Sequence, residues 1–246
     1  MALTDHDTVD GIPPAVEAGV HLGVRIVAGV ELSAYEDDDE QHLLGLHLAR
    51  LDDMREHLAV FRTARRARAE EMVRRLNAIG VRITFDDVLS VASDAALGRP
   101  HVARALVENG WARDMRDAFD RYLGLGRPAY LDKHRMGLDE AIALVHACGG
   151  IAVLAHPGGT GTADRISALA HVGLDGVEVL HPSHSGEDRA RLQALVQQFG
   201  LVPSGGSDSH GSGDSARVVG ALRVPAEWLA QQDERVAQRR AQARVA

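Results

Sequence analysis

The sequence predicts an α/β fold in which parallel strands alternate with helices. Short apolar runs recur along the chain, and each is closed by a polar or glycine-rich turn, as is typical of buried strands. Amphipathic stretches with helical spacing lie between several of these runs. Strand and helix in repeated alternation favour parallel βαβ units.

The chain opens on Ala2 and Leu3, which read like the end of a buried strand that runs straight into polar residues. Further strands are predicted at residues 25–30, 42–48, 151–154, 176–180, 201–203 and 218–222. Helices are predicted at residues 138–148, 162–172 and 185–199. The stretch 227–246 has few apolar positions, so we expect a peripheral helix or a frayed tail there.

The middle of the chain has a different pattern. Residues 54–79 form a long helical run dense in arginine and glutamate, and residues 85–122 continue in short helical segments with little strand signal. We therefore predict a strand-and-helix domain made of residues 1–51 and 134–246. Residues 52–133 are predicted to form a helical insertion.

Composition excludes several classes of protein. The 246 residues are 45% hydrophobic, enough for a substantial core, and the formal net charge of −8 argues against an extended duplex nucleic acid as partner. Cys148 is the single cysteine, so neither an internal disulfide nor a thiolate zinc site is expected, which favours a reducing cytoplasm. The sequence has neither an apolar stretch of roughly 20 residues nor a secretory signal, and no membrane partner is expected.

Metal-ligating residue types fall at or just after predicted strand ends, where parallel α/β folds place their sites. Each is weak evidence alone, because a single histidine near a strand end is more often structural. As a set without thiolates, they suit zinc, manganese or iron and suggest a multi-metal hydrolase. The candidates are His6, Glu31, His42, His156, Asp208 and His210.

Local sequence supports three of these candidates. Asp208 and His210 stand at i and i+2 in a segment of glycines and serines, where both side chains share one face of a strand end. His156 is followed by Pro157 and Gly158, which end the strand and expose the imidazole.

Seven segments, spread in order over nearly the whole chain, carry a specific resemblance. They are residues 3–8 (Leu-Thr-Asp-His-Asp-Thr), 29–33 (Gly-Val-Glu-Leu-Ser), 42–45 (His-Leu-Leu-Gly), 98–104 (Gly-Arg-Pro-His-Val-Ala-Arg), 155–157 (Ala-His-Pro), 178–184 (Glu-Val-Leu-His-Pro-Ser-His) and 206–211 (Gly-Ser-Asp-Ser-His-Gly). In these segments the chain resembles the polymerase and histidinol phosphatase (PHP) superfamily. Within that superfamily, the chain most resembles the nucleotide-phosphoesterase branch, which carries a helical insertion.

The resemblance implies a distorted (β/α)7 TIM-like barrel with the insertion as a lid. It implies up to three divalent metals, manganese, zinc or iron, held by His6, Glu31, His42, His156, Asp208 and His210. The family pattern normally starts one strand earlier, with a His-x-His motif that is missing here. We therefore expect an N-terminally incomplete barrel, fewer than three metals, and self-association over the open barrel edge.

The same resemblance implies that Arg99 and His101 reach from the lid to hold phosphate, with His184 as a further substrate contact. A guanidinium fork recognises phosphate oxygens bidentately. The residues themselves leave alternatives open: Arg99 and His101 could cap a helix that begins at Pro100, and His181 and His184 could shape a turn. The remaining histidines match no ligand position and are expected at the surface or in the core: His21, His47, His57, His134, His146 and His171.

The function implied is metal-dependent hydrolysis of nucleotide phosphate esters. Family substrates would be 3′,5′-bisphosphonucleosides such as pAp, or the 5′ ends of short oligoribonucleotides. Metal-bound water would be the nucleophile, with no single side-chain base assigned. The alternatives are a catalytically weakened protein that binds nucleotide or phosphate, and a histidinol-phosphate phosphatase. The serines lack a His/Asp relay spacing, which argues against a serine hydrolase.

Overall fold

The computed structural model describes residues 1–37, 39–92, 97–132, 135–211 and 217–243. It divides the chain into two compact units, residues 1–55 with 136–246 and residues 56–135. The predicted boundary between residues 133 and 134, like His134 itself, lies outside the described residues. Among the described helices, none is both long enough and apolar enough to cross a membrane.

The first unit is built on a mixed six-stranded sheet with the order β1-β2-β3-β4-β5-β6. The strands are β1 Ala2–Leu3, β2 Val27–Glu36, β3 Asp39–Leu46, β4 Ile151–Leu154, β5 Gly176–Leu180 and β6 Val202–Gly205. The α-helices in the described parts of both units are α1 Ile12–Leu22, α2 Leu51–Ala78, α3 Phe85–Val91, α4 Arg99–Glu108, α5 Met115–Ala118, α6 Leu138–Ala147, α7 Ala163–His171, α8 Gly186–Gln198 and α9 Ala226–Gln242. The predicted α/β class is confirmed.

Strand direction is only partly as predicted. The pairs β1–β2, β4–β5 and β5–β6 are parallel, whereas β3 runs antiparallel to both β2 and β4. A parallel connection needs a crossover of a dozen or more residues, and only two positions separate β2 from β3. The uniformly parallel prediction is therefore wrong at β3, which forms a hairpin with β2.

Two further expectations are wrong. The predicted strand at 218–222 is absent because Gly220 makes a turn at φ +83°, and Val218 and Val219 are more than half exposed. The strand β1 exists but is not buried, because it is the edge of the sheet. Self-association over this edge stays a prediction.

The C-terminal helix α9 is docked rather than frayed. It packs against β4 and β6 and buries Gln232 and Val236. Its Arg239 donates through Nε to the fully buried carboxylate of Asp175 at 2.7 Å, and His146 Nε2 contacts the same carboxylate at 2.7 Å. Burial alone would raise the pKa of Asp175, but His146, the Ala152 amide and Arg239 together lower it.

The second unit consists of helices and turns within its described residues. Its core is formed by apolar side chains from α2, α4 and the π-helical turn at residues 119–123, including Met72, Leu76, Leu106 and Leu123. Helix α3 starts at a capping box, in which Thr84 and Asp87 exchange hydrogen bonds that satisfy otherwise unpaired amides. The described residues of this unit are helical, as their spacing predicts, and their being an insertion in the other domain stays a prediction.

Candidate metal centre

Four of the six predicted ligands lie close together, and each is on or just after one of the first four strands. His6 follows β1 and bridges to Glu31 on β2, while His156 follows β4. His42 lies in the first half of β3 rather than at its carboxyl end. Because β3 is antiparallel, its beginning lies at the same edge of the sheet as the carboxyl ends of its neighbours, and His42 reaches the cluster from the opposite chain direction.

The carboxylate of Glu31 is the centre of this group. Its side chain is 6% exposed, and its Oε1 lies 2.8 Å from His42 Nδ1 and 3.1 Å from His156 Nε2. Its Oε2 lies 3.6 Å from His6 Nε2. Burying an acid among three imidazoles costs free energy, and such clusters of ionisable groups are typical of functional sites.

The donor set fits a divalent transition metal. One ligand atom each from His6, Glu31 and His42 lies within 4.8 Å of the other two. Ligands about 2.0–2.2 Å from a common tetrahedral ion lie roughly 3.4 Å apart, so these atoms could converge on one ion after small rotations. Imidazole nitrogen and carboxylate oxygen are ligands that zinc, manganese and iron accept.

The other two predicted ligands form a second group beside the first. His210 Nδ1 lies 3.6 Å from Asp208 Oδ1, and the ring centroids of His6 and His210 are 5.8 Å apart. Asp208 also contacts His181 Nε2 at 3.3 Å and the guanidinium of Arg217. The structure therefore brings all six predicted ligands to one edge of the sheet.

Backbone strain is concentrated at this edge. Asp7, His156 and Asp208 have φ values of +51°, +26° and +50°, in the left-handed region that side chains rarely adopt. Each such residue costs on the order of 1–3 kcal/mol and persists only where its surroundings hold it. The close approach is helped by Gly205, since a Cβ there would lie 2.7 Å from Leu180 Cβ.

Electrostatics in the cluster keep Glu31 ionised. Burial alone would raise the pKa of Glu31, but hydrogen bonds with His156 and His42, and the nearby His6, hold it well below its usual range. The same contact with Glu31 raises the pKa of His156. Glu178 lies on β5 and accepts a hydrogen bond from the His156 amide, and burial raises its pKa to about 7.

The predicted phosphate-binding residues Arg99 and His101 lie at the start of α4 in the second unit. The Arg99 guanidinium stacks over the ring of Tyr130 at 5.3 Å, and no carboxylate of the described residues pairs with it. His101 Nδ1 accepts the backbone N–H of Gly98 at 3.1 Å, the contact expected of a capping residue. Its Nε2 is left as a donor.

His184 has internal contacts in the structure. It is 4% exposed; its Nδ1 lies 2.9 Å from the carbonyl oxygen of Val179, and its Nε2 accepts the backbone N–H of Gly158 at 3.1 Å. Both ring nitrogens therefore tie the turn after β4 to β5. The substrate contact expected of His184 stays a prediction, and it would require one of these bonds to be exchanged.

The sequence predicts no site role for His181, which reads as part of a turn, or for Glu178. His181 follows β5 directly, as His156 follows β4, and this repeated position is a signal that could have found it. Glu178 is a charged residue within an otherwise apolar strand, which is also visible in the sequence. Hydrogen bonds to a metal-ligating carboxylate fix its orientation, and His181 Nε2 contacts the carboxylate of Asp208, a predicted ligand, at 3.3 Å.

The chain is similar in sequence to curated proteins that match most of its length. The chain is 34% identical over 227 residues to a 3′,5′-nucleoside bisphosphate phosphatase from Chromobacterium violaceum, covering 89% of this chain and 80% of that protein. It is 34% identical over 218 residues to a 5′-3′ exoribonuclease from Salmonella typhimurium, covering 85% of this chain and 74% of that protein. No protein-family model matches the chain.

A solved structure is also similar to this chain over most of its length. The metal-dependent phosphoesterase from Bifidobacterium adolescentis superposes with a TM-score of 0.70 at 31% identity, over 95% of this chain and 85% of that one. Fold, site and relatives together define a hydrolase of the metal-dependent phosphoesterase class. The chain belongs to the PHP superfamily, as its sequence segments indicated.

Proposed function

We propose that this protein hydrolyses phosphate esters of nucleotides, with 3′,5′-bisphosphonucleosides such as pAp or the 5′ ends of short oligoribonucleotides as substrates. The observation that carries the proposal is the convergence of three imidazoles on the buried carboxylate of Glu31. The 34% identity to proteins named for these two activities supports the substrate class. The single cysteine favours a reducing cytoplasm as the site of this activity.

The residues that would hold divalent metal are the six that meet at the sheet edge: His6, Glu31, His42, His156, Asp208 and His210. When bound, such an ion supplies a Lewis acid that activates water and polarises a phosphoryl oxygen. Glu31 contributes a full negative charge, because its pKa is held low by the surrounding histidines. His181 and Arg217 orient Asp208 through their contacts with its carboxylate.

Arg99 and His101 would bind the substrate's phosphate. A free guanidinium gives planar bidentate recognition, which lets an acidic protein bind an anion locally. The ring of Tyr130 keeps the Arg99 guanidinium in place without neutralising it. The finer architecture, a (β/α)7 TIM-like barrel with the helical unit as its lid, is part of this proposal.

The test is phosphate release by the full chain, freed of metal and then reloaded with Mn²⁺ or Zn²⁺. Substrates are pAp, a 5′-phosphorylated dinucleotide and histidinol phosphate, each with and without chelator. We expect metal-dependent release from the two nucleotide substrates. Release from histidinol phosphate alone would overturn the substrate class. A metal-loaded protein that binds pAp without hydrolysing it would overturn the activity.

A further inference from the structure

Glu178 is a buried acid for which the proposed chemistry has no use. It lies in the middle of β5, 5% exposed, between the buried Val177 and Val179. Among the described residues, no arginine or lysine forms an ion pair with it. An acid that is buried without a cation costs free energy, so a contact that depends on it is expected.

That contact is with the backbone of His156. The N–H of His156 donates to Glu178 Oε2 at 2.8 Å. His156 needs such support, since its φ of +26° is unfavourable for a residue with a side chain. Pro157 adds to the strain, because a residue before proline normally takes an extended backbone.

The unusual backbone of His156 has a consequence at the site. With this conformation, its Nε2 lies 3.1 Å from Glu31 Oε1 and 3.1 Å from His42 Nδ1. The second oxygen of Glu178 faces Gly206, where an added Cβ would lie 3.7 Å from Oε1. Glu178 therefore sits between the segments that follow β4 and β6, which carry His156 and Asp208.

We propose that Glu178 is a positioning residue, whose carboxylate holds His156 in the left-handed conformation that aims its imidazole at Glu31 and so strengthens metal binding. The proposal rests on the proposed role of His156 as a ligand. Glu178 acts through the His156 amide and does not touch substrate. An acceptor oxygen at this place is what matters, so glutamine can substitute for it.

The experiment compares Mn²⁺ affinity, measured by titration calorimetry on the metal-free full chain, for wild type, Glu178→Ala, Glu178→Gln, His156→Ala and the Glu178→Ala/His156→Ala double variant. We expect Glu178→Ala to weaken binding roughly 10- to 100-fold, as loss of a partner that orients a metal ligand does. Glu178→Gln should keep most of the affinity. The double variant should bind no more weakly than His156→Ala, since both changes act through one residue.

Asp175→Asn is the matched control, because Asp175 is a buried acid just before β5 whose carboxylate contacts His146, Ala152, Arg235 and Arg239 rather than the metal-centre residues. It should lower thermal stability and leave Mn²⁺ affinity unchanged. Should Glu178→Ala not fold, hydrogen exchange of the His156 amide in wild type and Glu178→Gln decides. Slow exchange in both supports the proposal, and fast exchange in wild type overturns it.

The outcomes separate this proposal from the proposed function. Wild-type affinity in Glu178→Ala, together with weak binding by His156→Ala, overturns the role of Glu178 alone. Wild-type affinity in His156→Ala overturns the ligand role of His156 itself. Equal losses in Glu178→Ala and Glu178→Gln would show that charge rather than hydrogen bonding matters, which also overturns the positioning role.

Discussion

Oε1 of Glu31 lies 2.8 Å from Nδ1 of His42, and this short contact joins two antiparallel strands at the site. It depends on the hairpin between β2 and β3, in which His42 pairs with Ser33, two residues along β2 from Glu31, so that the two side chains lie on the same face. A parallel partner strand would need a crossover and would present its carboxyl end instead. The reversed strand β3 is therefore what allows a residue near the beginning of a strand to join ligands at the ends of others.

Replacing Glu31 by glutamine should abolish most of the activity. The change removes the negative charge that three histidines surround, so a bound cation loses its main electrostatic partner. Loss of residues that only orient a ligand costs 10- to 100-fold, so we expect a fall in kcat/KM of more than about 100-fold. Phosphate release from pAp and metal content per chain check this.

Glu36→Gln is the control, since Glu36 is also a β2 glutamate but pairs with Arg165 away from the histidines. It should keep activity within a small factor of wild type. Full activity in Glu31→Gln would contradict the assignment of Glu31 to the metal centre.

Metal affinity should fall as the pH is lowered. A histidine can ligate a metal only when its imidazole is unprotonated, and contact with Glu31 raises the pKa of His156 above the ordinary 6.5. Protons therefore compete with metal up to a higher pH than for a free histidine. Titration with Mn²⁺ at a series of pH values should show affinity still rising between about pH 6 and about pH 8. A flat profile over that range would contradict the prediction.

Asp175→Asn should destabilise the first unit. The variant loses charge-assisted hydrogen bonds with His146 and Arg239, and we expect the free energy of unfolding to fall by about 1.5–3 kcal/mol at neutral pH. Because the folded-state pKa of Asp175 lies below its ordinary 3.8, the carboxylate stabilises the fold above that pH and loses this effect as the pH falls through the folded-state value.

Denaturant unfolding at several pH values measures the difference in free energy of unfolding between wild type and Asp175→Asn, and this difference should narrow below about pH 4. Asp233→Asn is the control, because it removes a half-exposed ion pair with Arg25 and should lower the free energy of unfolding by no more than about 1 kcal/mol. A constant difference between wild type and Asp175→Asn down to acid pH would show that the carboxylate's charge is not what stabilises α9.

Arg99→Ala should weaken substrate use without affecting metal binding. A hydrogen bond to a charged group contributes enough that its loss should lower kcat/KM for pAp by a factor of roughly 10 to 100, mainly through KM. Arg104, exposed on the same helix, provides the matched control, and Arg104→Ala should behave like wild type. Equal effects of the two substitutions would indicate a general charge effect rather than a phosphate site.

Much of this could be predicted from the sequence, because α6, α7 and α8 show clear helical periodicity and the ligand types are rare in apolar surroundings. The docking of α9 could not be predicted, because it depends on Gln232 and Arg239, polar residues whose partners are distant in sequence. Val218 and Val219 are β-branched residues that favour a strand, yet the positive φ of Gly220 makes the chain turn there. Sequence position marks His181 and Glu178 as unusual, but their contacts with Asp208 and with the His156 amide depend on how the strands are arranged.

The most direct test is elemental analysis of divalent metal on the purified full chain and on His156→Ala, with phosphate release from pAp measured on the same samples. Wild type should hold at least one divalent ion per chain and release phosphate, and His156→Ala should lose both together. A folded, metal-saturated wild type that binds pAp and releases no phosphate would contradict the account.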